Sequence, residues 1–361
     1  MTLRIGVLGT ARIAREFVAG VKPSRRVEVV AVASRDPARA EEFARANGIV
    51  RWYGSYELLL ADEVVDAVYL PLPNGLHRAW AVAAARAGKH VLCEKPLAAG
   101  EAEGREMFEA AAESDTVLME AYPYQYQQQT QELVRLVRTG AIGEARYLQG
   151  AFGFLLSDRK DVRFDPALAG GALRDMGGYP LSLSRLVFGS RPVRATAQAR
   201  WHPGEVDTTL TGTVEFAGGG LAQIACSLEV AATRLAVIAG SAGVVETDFR
   251  NHTDVGDAPL LRIRRGAAGT QPFEALKVER ANGFLREAEA FAHLVEMRDR
   301  TAFEATRAVT LDVLAAMDAL LESVRCGAPV AIPRAEILFP RAAGGRAVKP
   351  HRARPAARTG S

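Results

Sequence analysis

Short apolar runs alternate with longer amphipathic stretches through the first third of the chain. Leu3 to Leu8 reads as a strand and Ala11 to Ala19 as a helix. Val27 to Ala33 is a β-branched run, the pattern of a strand buried on both faces. Pro37 opens a helix that continues through Ala46 and closes near Asn47 and Gly48. Asp66 to Leu70 is another buried strand, followed by a helix from Leu76 to Ala87 closed by Gly88. His90 to Cys93 as a strand, Glu101 to Glu113 as a helix and Thr116 to Met119 as a strand complete the series. Such alternation predicts a parallel sheet with helices on both faces.

The rhythm then changes. A helix around Gln131 to Arg138 gives way to strand-like runs at Ala145 to Phe154, Val193 to Trp201, Thr208 to Phe216, Leu221 to Val230, Arg234 to Ile238 and Val244 to Phe249. Glycine-rich or polar turns separate most of them, as an antiparallel sheet requires. One helix, Leu173 to Val187, interrupts this series, and two more, near Gly283 to Met297 and Phe303 to Val324, close the body. The spacing of Phe284, Ala288, Phe291 and Val295 is that of a core-packed helix face. The expected fold class is therefore α/β: a doubly wound parallel sheet, then an α/β domain with a large, mostly antiparallel open sheet. The expected divisions are residues 1–122, 123–340 and a disordered basic tail, 341–361.

Charge narrows the function classes. The tail holds six basic residues and no acid, and it alone turns a body of net −3 into a chain of net +3. A mildly acidic body argues against a nucleic-acid partner. Cys93, Cys226 and Cys326 are too few and too scattered for a disulfide framework or a zinc site, so no metal is expected. The N-terminus lacks the apolar core of a signal peptide, and no apolar run approaches the roughly 20 residues of a membrane span. A cytoplasmic protein without membrane partners is expected.

Gly9-Thr10-Ala11-Arg12-Ile13-Ala14 joins the first strand to the first helix as a G-x-A-x-x-A variant of the dinucleotide fingerprint. Gly9 permits a tight turn, Ala11 leaves room for a pyrophosphate, and Ala14 allows close helix–strand packing. A plain strand–turn–helix junction is the competing reading. About 20 residues further on, where NAD enzymes place a carboxylate, the chain has Ser34 and Arg35. A hydroxyl beside a guanidinium suits the 2′-phosphate of NADP rather than the free ribose of NAD. Arg39 adds a second cation unless both arginines are simply solvated. Asp36 before Pro37 reads as a helix cap.

Two strand ends carry further candidates. Leu72, Pro73, Asn74 and His77 follow the third predicted strand, where open α/β sheets bind ligands. Asn74 is a cap or a ligand contact, and His77 is structural or functional. Glu94 and Lys95 end the next strand, where Lys95 either faces a bound cofactor or pairs with Glu94 at the surface. In Gly170-Gly171-Ala172-Leu173-Arg174-Asp175-Met176-Gly177-Gly178-Tyr179, Asp175 and Tyr179 fall on one helical face. Tyr179 is either a proton donor and acceptor or a core aromatic.

Together these segments, with Met119 to Tyr122, resemble the glucose–fructose oxidoreductase, inositol dehydrogenase and rhizopine catabolism (Gfo/Idh/MocA) family, in its dihydrodiol and aldose dehydrogenase-like branch. The resemblance runs from residue 5 to residue 189 and implies a Rossmann domain for the first unit. It implies Lys95, Asp175 and Tyr179 as the catalytic set. Pro73, Asn74, His77 and Glu94 join the cofactor pocket, and Tyr122, Arg163, Asp175 and Tyr179 form the substrate-binding set. It also implies NADP-dependent hydride transfer to or from a sugar, polyol or cyclic diol, and a homodimer or homotetramer assembled through the second sheet. In this scheme Tyr179 exchanges a proton with the reacting oxygen while Lys95 lowers its pKa. Two alternatives remain: a nucleotide-sugar ketoreductase, and a non-catalytic NADP-binding regulator. The chain departs from the family at Ala11 and at Tyr122-Pro123-Tyr124-Gln125-Tyr126-Gln127-Gln128, so the substrate itself is not implied.

Overall fold

The computed structural model describes residues 2–202 and 206–334; the tail 341–361 lies outside the described residues. Six strands, β1 (Leu3–Leu8), β2 (Val27–Ala33), β3 (Arg51–Tyr53), β4 (Ala67–Leu70), β5 (His90–Glu94) and β6 (Leu118–Ala121), pair in parallel in the order β3-β2-β1-β4-β5-β6. The order reverses between β1 and β4, which opens a crevice beyond their C-terminal ends. Five helices follow the first five strands in turn: α1 (Arg12–Val21), α2 (Pro37–Asn47), α3 (Tyr56–Leu60), α4 (His77–Arg86) and α5 (Glu101–Glu113). The α2 ends are locally encoded: the Asp36 carboxylate accepts from the Ala38 and Arg39 N–H groups, and Gly48 closes the helix at φ 74°. The short β3 and α3 had no periodic signal strong enough to predict them.

The second sheet has nine strands. After α6 (Gln128–Arg138) come β7 (Ala145–Leu155), α7 (Gly178–Phe188), β8 (Pro192–His202), β9 (Val206–Phe216), β10 (Leu221–Ser227), β11 (Glu229–Gly240), β12 (Gly243–Asp248), β13 (Leu261–Arg265) and β14 (Glu274–Ala275). Helices α8 (Gly283–Met297) and α9 (Arg300–Cys326) precede the edge strand β15 (Val330–Ala331). Every pair is antiparallel except β7 with β10. Two expectations need correction. The run 221–230 is not one strand: it breaks at Leu228, which is buried and exchanges backbone bonds with Leu156 and Thr208. The helix expected from Leu173 begins as a π-helical turn, Leu173–Gly177, before α7.

Helix α8 packs on the first sheet rather than the second. Phe284, Ala288 and Phe291 are buried with Phe17 and Tyr69, whose rings stack 3.9 Å apart. Helix α9 spans both units, touching α5 at one side and β8 at the other. These returns hold the α7 end of the second unit against the C-terminal ends of β4 and β5.

Candidate active site

A groove of about 570 Å³ lies at the strand-order reversal. Gly9, Thr10, Ala11, Ser34, Arg35, Asp36, Arg39, Leu72 and Pro73 are among the residues that line it. Gly9 sits at φ 114°, and a Cβ there would stand 3.0 Å from the Leu72 side chain, so the turn needs glycine. Ala11 precedes α1 without a side-chain cap, and the first helical turn contains no acid. Ala14 N bonds Ala11 O, and the N–H groups just before it have no side-chain partner, a start that suits an anion. At the other end, Ser34 Oγ accepts from Asp36 N and keeps its own proton to donate. Arg35 and Arg39 are exposed and have no acidic partner among the described residues. Tyr56, which the sequence reading missed because α3 is short, brings its hydroxyl beside both guanidiniums. These donors match a pyrophosphate at one end and a ribose phosphate at the other.

The remaining cofactor candidates stand apart from this lining. Arg12 is mostly exposed on the first turn of α1, and Ile13 is half-buried against the first core. Asn74 does not cap a helix; its Nδ2 donates to Ala169 O across the domain boundary at 3.0 Å. His77 is completely buried, with Nδ1 at 2.9 Å from Pro96 O and Nε2 at 2.7 Å from Leu72 O. It therefore braces the two loops rather than presenting a ring to the groove. Glu94 is buried too, accepting the Tyr69 hydroxyl at 2.6 Å and the Lys95 N–H at 3.3 Å.

Lys95 does not pair with Glu94 at the surface. Its Nζ donates to Asp175 O at 2.6 Å and to Asp175 Oδ1 at 3.1 Å. Arg163 Nε donates to the other carboxylate oxygen at 2.8 Å, and Arg163 also pairs with Asp161. The glycines before Asp175 make this approach feasible: a Cβ on Gly170 would reach 2.5 Å from Arg163 O, and one on Gly171 would collide with Asp207. Asp207, another residue missed in sequence, accepts from Leu173 N at 2.7 Å and secures the π-helical turn. Burial alone would raise the Asp175 carboxyl, but Lys95 and Arg163 outweigh it and hold the group below its usual pKa. Burial would likewise lower Lys95, but Asp175 leads the opposing charges and the ammonium is held above its usual pKa.

Tyr179 begins α7 with its ring 3% exposed. Lys95 Nζ stands 5.5 Å from the ring centroid. Phe152, Tyr124, Tyr122 and Phe249 surround the ring at 4.5–5.9 Å between centroids. Its hydroxyl meets the side chain of Asn251, which no sequence motif signalled. Burial raises the Tyr179 phenol above its usual pKa; Lys95, as expected, and Asn251 lower it, but not enough to overcome the burial. Tyr122 is buried, with its hydroxyl against Gly178 and without a hydrogen-bond partner among the described residues.

The chain is 37% identical over 331 residues to D-xylose 1-dehydrogenase (NADP(+)) 2 of Haloferax volcanii, covering 91% of this chain and 99% of that one. Residues 3–122 match the oxidoreductase family with an NAD-binding Rossmann fold, and residues 130–246 match the GFO/IDH/MocA C-terminal domain. The chain belongs to the Gfo/Idh/MocA family. Among solved structures, the aldose-aldose oxidoreductase from Caulobacter crescentus, complexed with glycerol, superposes with a TM-score of 0.84 at 27% identity, covering 92% of this chain and all of that one. A 3-ketoreductase from Actinomadura kijaniata, in complex with NADP and TDP-benzene, gives 0.81 at 29% identity, covering 90% and 98%.

Proposed function

We propose that this Gfo/Idh/MocA protein is an NADP-dependent oxidoreductase acting on the CH–OH group of a sugar, polyol or cyclic diol. The observation that carries this reading is the Lys95 ammonium, clamped by Asp175 and set over the Tyr179 ring at the end of β5. The uncapped start of α1, with Ser34, Arg35 and Arg39, would hold the dinucleotide. When bound, NADP supplies the nicotinamide that accepts or donates hydride. Asp175 and Arg163 keep Lys95 charged and in place. Lys95 polarises the substrate oxygen, and Tyr179 Oη exchanges a proton with it. Asp175 and Arg163 also offer hydrogen bonds to neighbouring hydroxyls. Residues 1–122 are assigned to the cofactor and 123–340 to substrate and assembly. The names of the xylose dehydrogenase and aldose oxidoreductase relatives support the substrate class.

Assembly as a homodimer or homotetramer through the nine-stranded sheet is part of the same proposal. Tyr147, Leu155, Trp201, Leu221 and Leu235 are large apolar side chains exposed on its strands. A reducing, cytoplasmic compartment is supported by three unpaired cysteines. The decisive experiment is a turnover screen with NADP⁺ and NADPH over aldoses, dihydrodiols and keto-sugars, repeated with NAD⁺ and NADH. Turnover on aldoses or diols with NADP supports the reading. Turnover confined to nucleotide-linked keto-sugars would make it a ketoreductase. Tight NADP binding with no turnover across the panel would leave a regulator and sink the enzyme assignment.

A further inference from the structure

Among the described residues, the polar groups within hydrogen-bond distance of Tyr179 Oη are the two ends of one carboxamide. Asn251 Oδ1 lies at 3.2 Å and Asn251 Nδ2 at 3.1 Å. An amide carries an acceptor at one end and donors at the other. Whichever way the group is turned, the phenol faces one of each. A carboxylate at this place would offer acceptors alone. An apolar side chain would leave a buried hydroxyl without a partner.

Asn251 is firmly held. It follows β12, and its backbone carbonyl accepts from Gln127 Nε2 at 3.0 Å and from Gly283 N at 3.0 Å. A Cβ on Gly283 would collide with that carbonyl. The neighbouring Thr253 is tied to Ala281 and Gln127. Two separate segments, at Gln127 and at Ala281 to Gly283, thus fix the loop that aims the amide at the phenol.

A phenol that loses and regains a proton needs different partners in its two states. As O–H it needs an acceptor; as phenolate it needs a donor. We infer that Asn251 is a positioning residue for proton transfer, its carboxamide serving Tyr179 in both protonation states. This inference rests on the proposed role of Tyr179. In reduction, Tyr179 Oη gives its proton to the substrate carbonyl oxygen as hydride from NADPH reaches the carbon that bears it, and the amide N–H then bonds the phenolate left behind. In oxidation, the substrate hydroxyl returns its proton to Tyr179 as hydride leaves that carbon. Without substrate, Oδ1 holds the phenol proton in place.

The surroundings make this donor necessary. Tyr179 is shielded from water, and burial alone favours the neutral phenol. The charged groups facing it are Lys95 and Glu94 from the end of β5 and Asp175 from the π-helical turn. Tyr122 and Tyr124, from the segment after β6, are themselves pushed up by burial. Phe152 and Phe249 add no charge, and Arg234 of β11 stands beyond Phe152, 5.2 Å from its ring centroid. Among the described residues, Lys95 and the amide N–H are therefore the groups that favour the phenolate at close range.

The test uses the full chain with NADP⁺ and the sugar or diol of highest turnover in the screen above. Profiles of kcat/KM against pH are compared for the wild type, Asn251→Asp, Asn251→Ser and Tyr179→Phe. Asn251→Asp replaces the donor with a negative charge. Its rising limb should move at least about one unit to higher pH, with turnover at pH 7 down roughly 10-fold or more. Asn251→Ser is neutral and too short to bridge. It should lower kcat with KM little changed, and it carries the test if Asn251→Asp does not fold. A merely structural role would lower stability without moving the limb. Wild-type limbs in both Asn251 variants, beside an inactive Tyr179→Phe, would overturn the role of Asn251 alone. A Tyr179→Phe enzyme with near-normal turnover would remove the role of Tyr179, and this one with it.

Discussion

The dinucleotide groove and the Lys95–Asp175–Tyr179 cluster lie at adjacent strand ends but handle charge in opposite ways. In the groove, Arg35 and Arg39 are exposed and lack acidic partners among the described residues. Their charge is answered only when an anion arrives, and solvent screens it meanwhile. In the cluster, Lys95, Asp175 and Arg163 are closely paired, and Lys95 and Asp175 retain only 15% and 13% side-chain exposure. Their charges compensate one another before any ligand binds. On the proposed function, one region recruits the cofactor and the other keeps a proton-transfer site in fixed geometry. Salt should therefore weaken cofactor binding much more than it disturbs the catalytic step.

The largest expected effect lies in the cluster. Lys95→Met removes the ammonium and leaves the buried Asp175 with Arg163 as its remaining cationic partner. Turnover should fall by about 10³-fold while NADP⁺ affinity stays within a few-fold, measured by steady-state kinetics and cofactor titration. Equal losses in both would merge the two regions into one. Next in size is the groove. Replacing Arg35 and Arg39 with alanine should weaken NADP⁺ binding by roughly 10- to 100-fold at low salt, with NAD⁺ affinity nearly unchanged. Titrations at two ionic strengths check this; an equal loss for both cofactors would remove the 2′-phosphate assignment.

A smaller effect concerns the floor beneath the cluster. Glu120 is fully buried on β6, accepting from Leu97 N and the Thr310 hydroxyl. Desolvation pushes its carboxyl up to about 7, against those two hydrogen bonds and the charge of Lys95. The folded value lies above the usual 4.5, so the folded state binds the extra proton between about 4.5 and 7. Stability should decline as pH rises through that window. Urea denaturation at several pH values should show that slope in the wild type and a flatter one in Glu120→Gln. Asp175, held below its usual pKa, has the opposite sign: its stabilisation is present above the ordinary carboxylate pKa and is lost in acid as pH falls through its lower, folded value. The smallest change is expected from Asp36→Ala, which removes the α2 cap at the groove rim and should cost about 1 kcal/mol in the same assay.

Features whose cause is local in the chain were legible. The strand–helix alternation, the Gly9 turn, the Asp36 cap and the Gly48 helix stop each depend on a few neighbouring residues, and the structure has all four. Position at a strand end singled out Lys95, because the C-terminal ends of parallel strands converge on one crevice. The short α3 with Tyr56 was missed because five residues carry too little periodicity to register. Strand position gives a side chain's neighbourhood but not which way its hydroxyl turns, as at Tyr122, buried against Gly178. The same gap hid Asn251, which reaches Tyr179 across 72 residues of chain from a loop without a motif.

By itself, then, the sequence determined the α/β architecture, the groove that begins at Gly9 and the set of chemical groups available to a site. These follow from periodicity and from backbone constraints that act over one or two turns. Tertiary structure alone decided which groups are charged, paired or shielded. It joined Lys95 to Asp175 across 80 residues, buried His77 and Tyr122, and gave Tyr179 an amide for a partner. The physical reason is that desolvation and hydrogen-bond geometry depend on everything packed around a group. Those neighbours are brought together only when α7, α8 and α9 close the second unit onto the first.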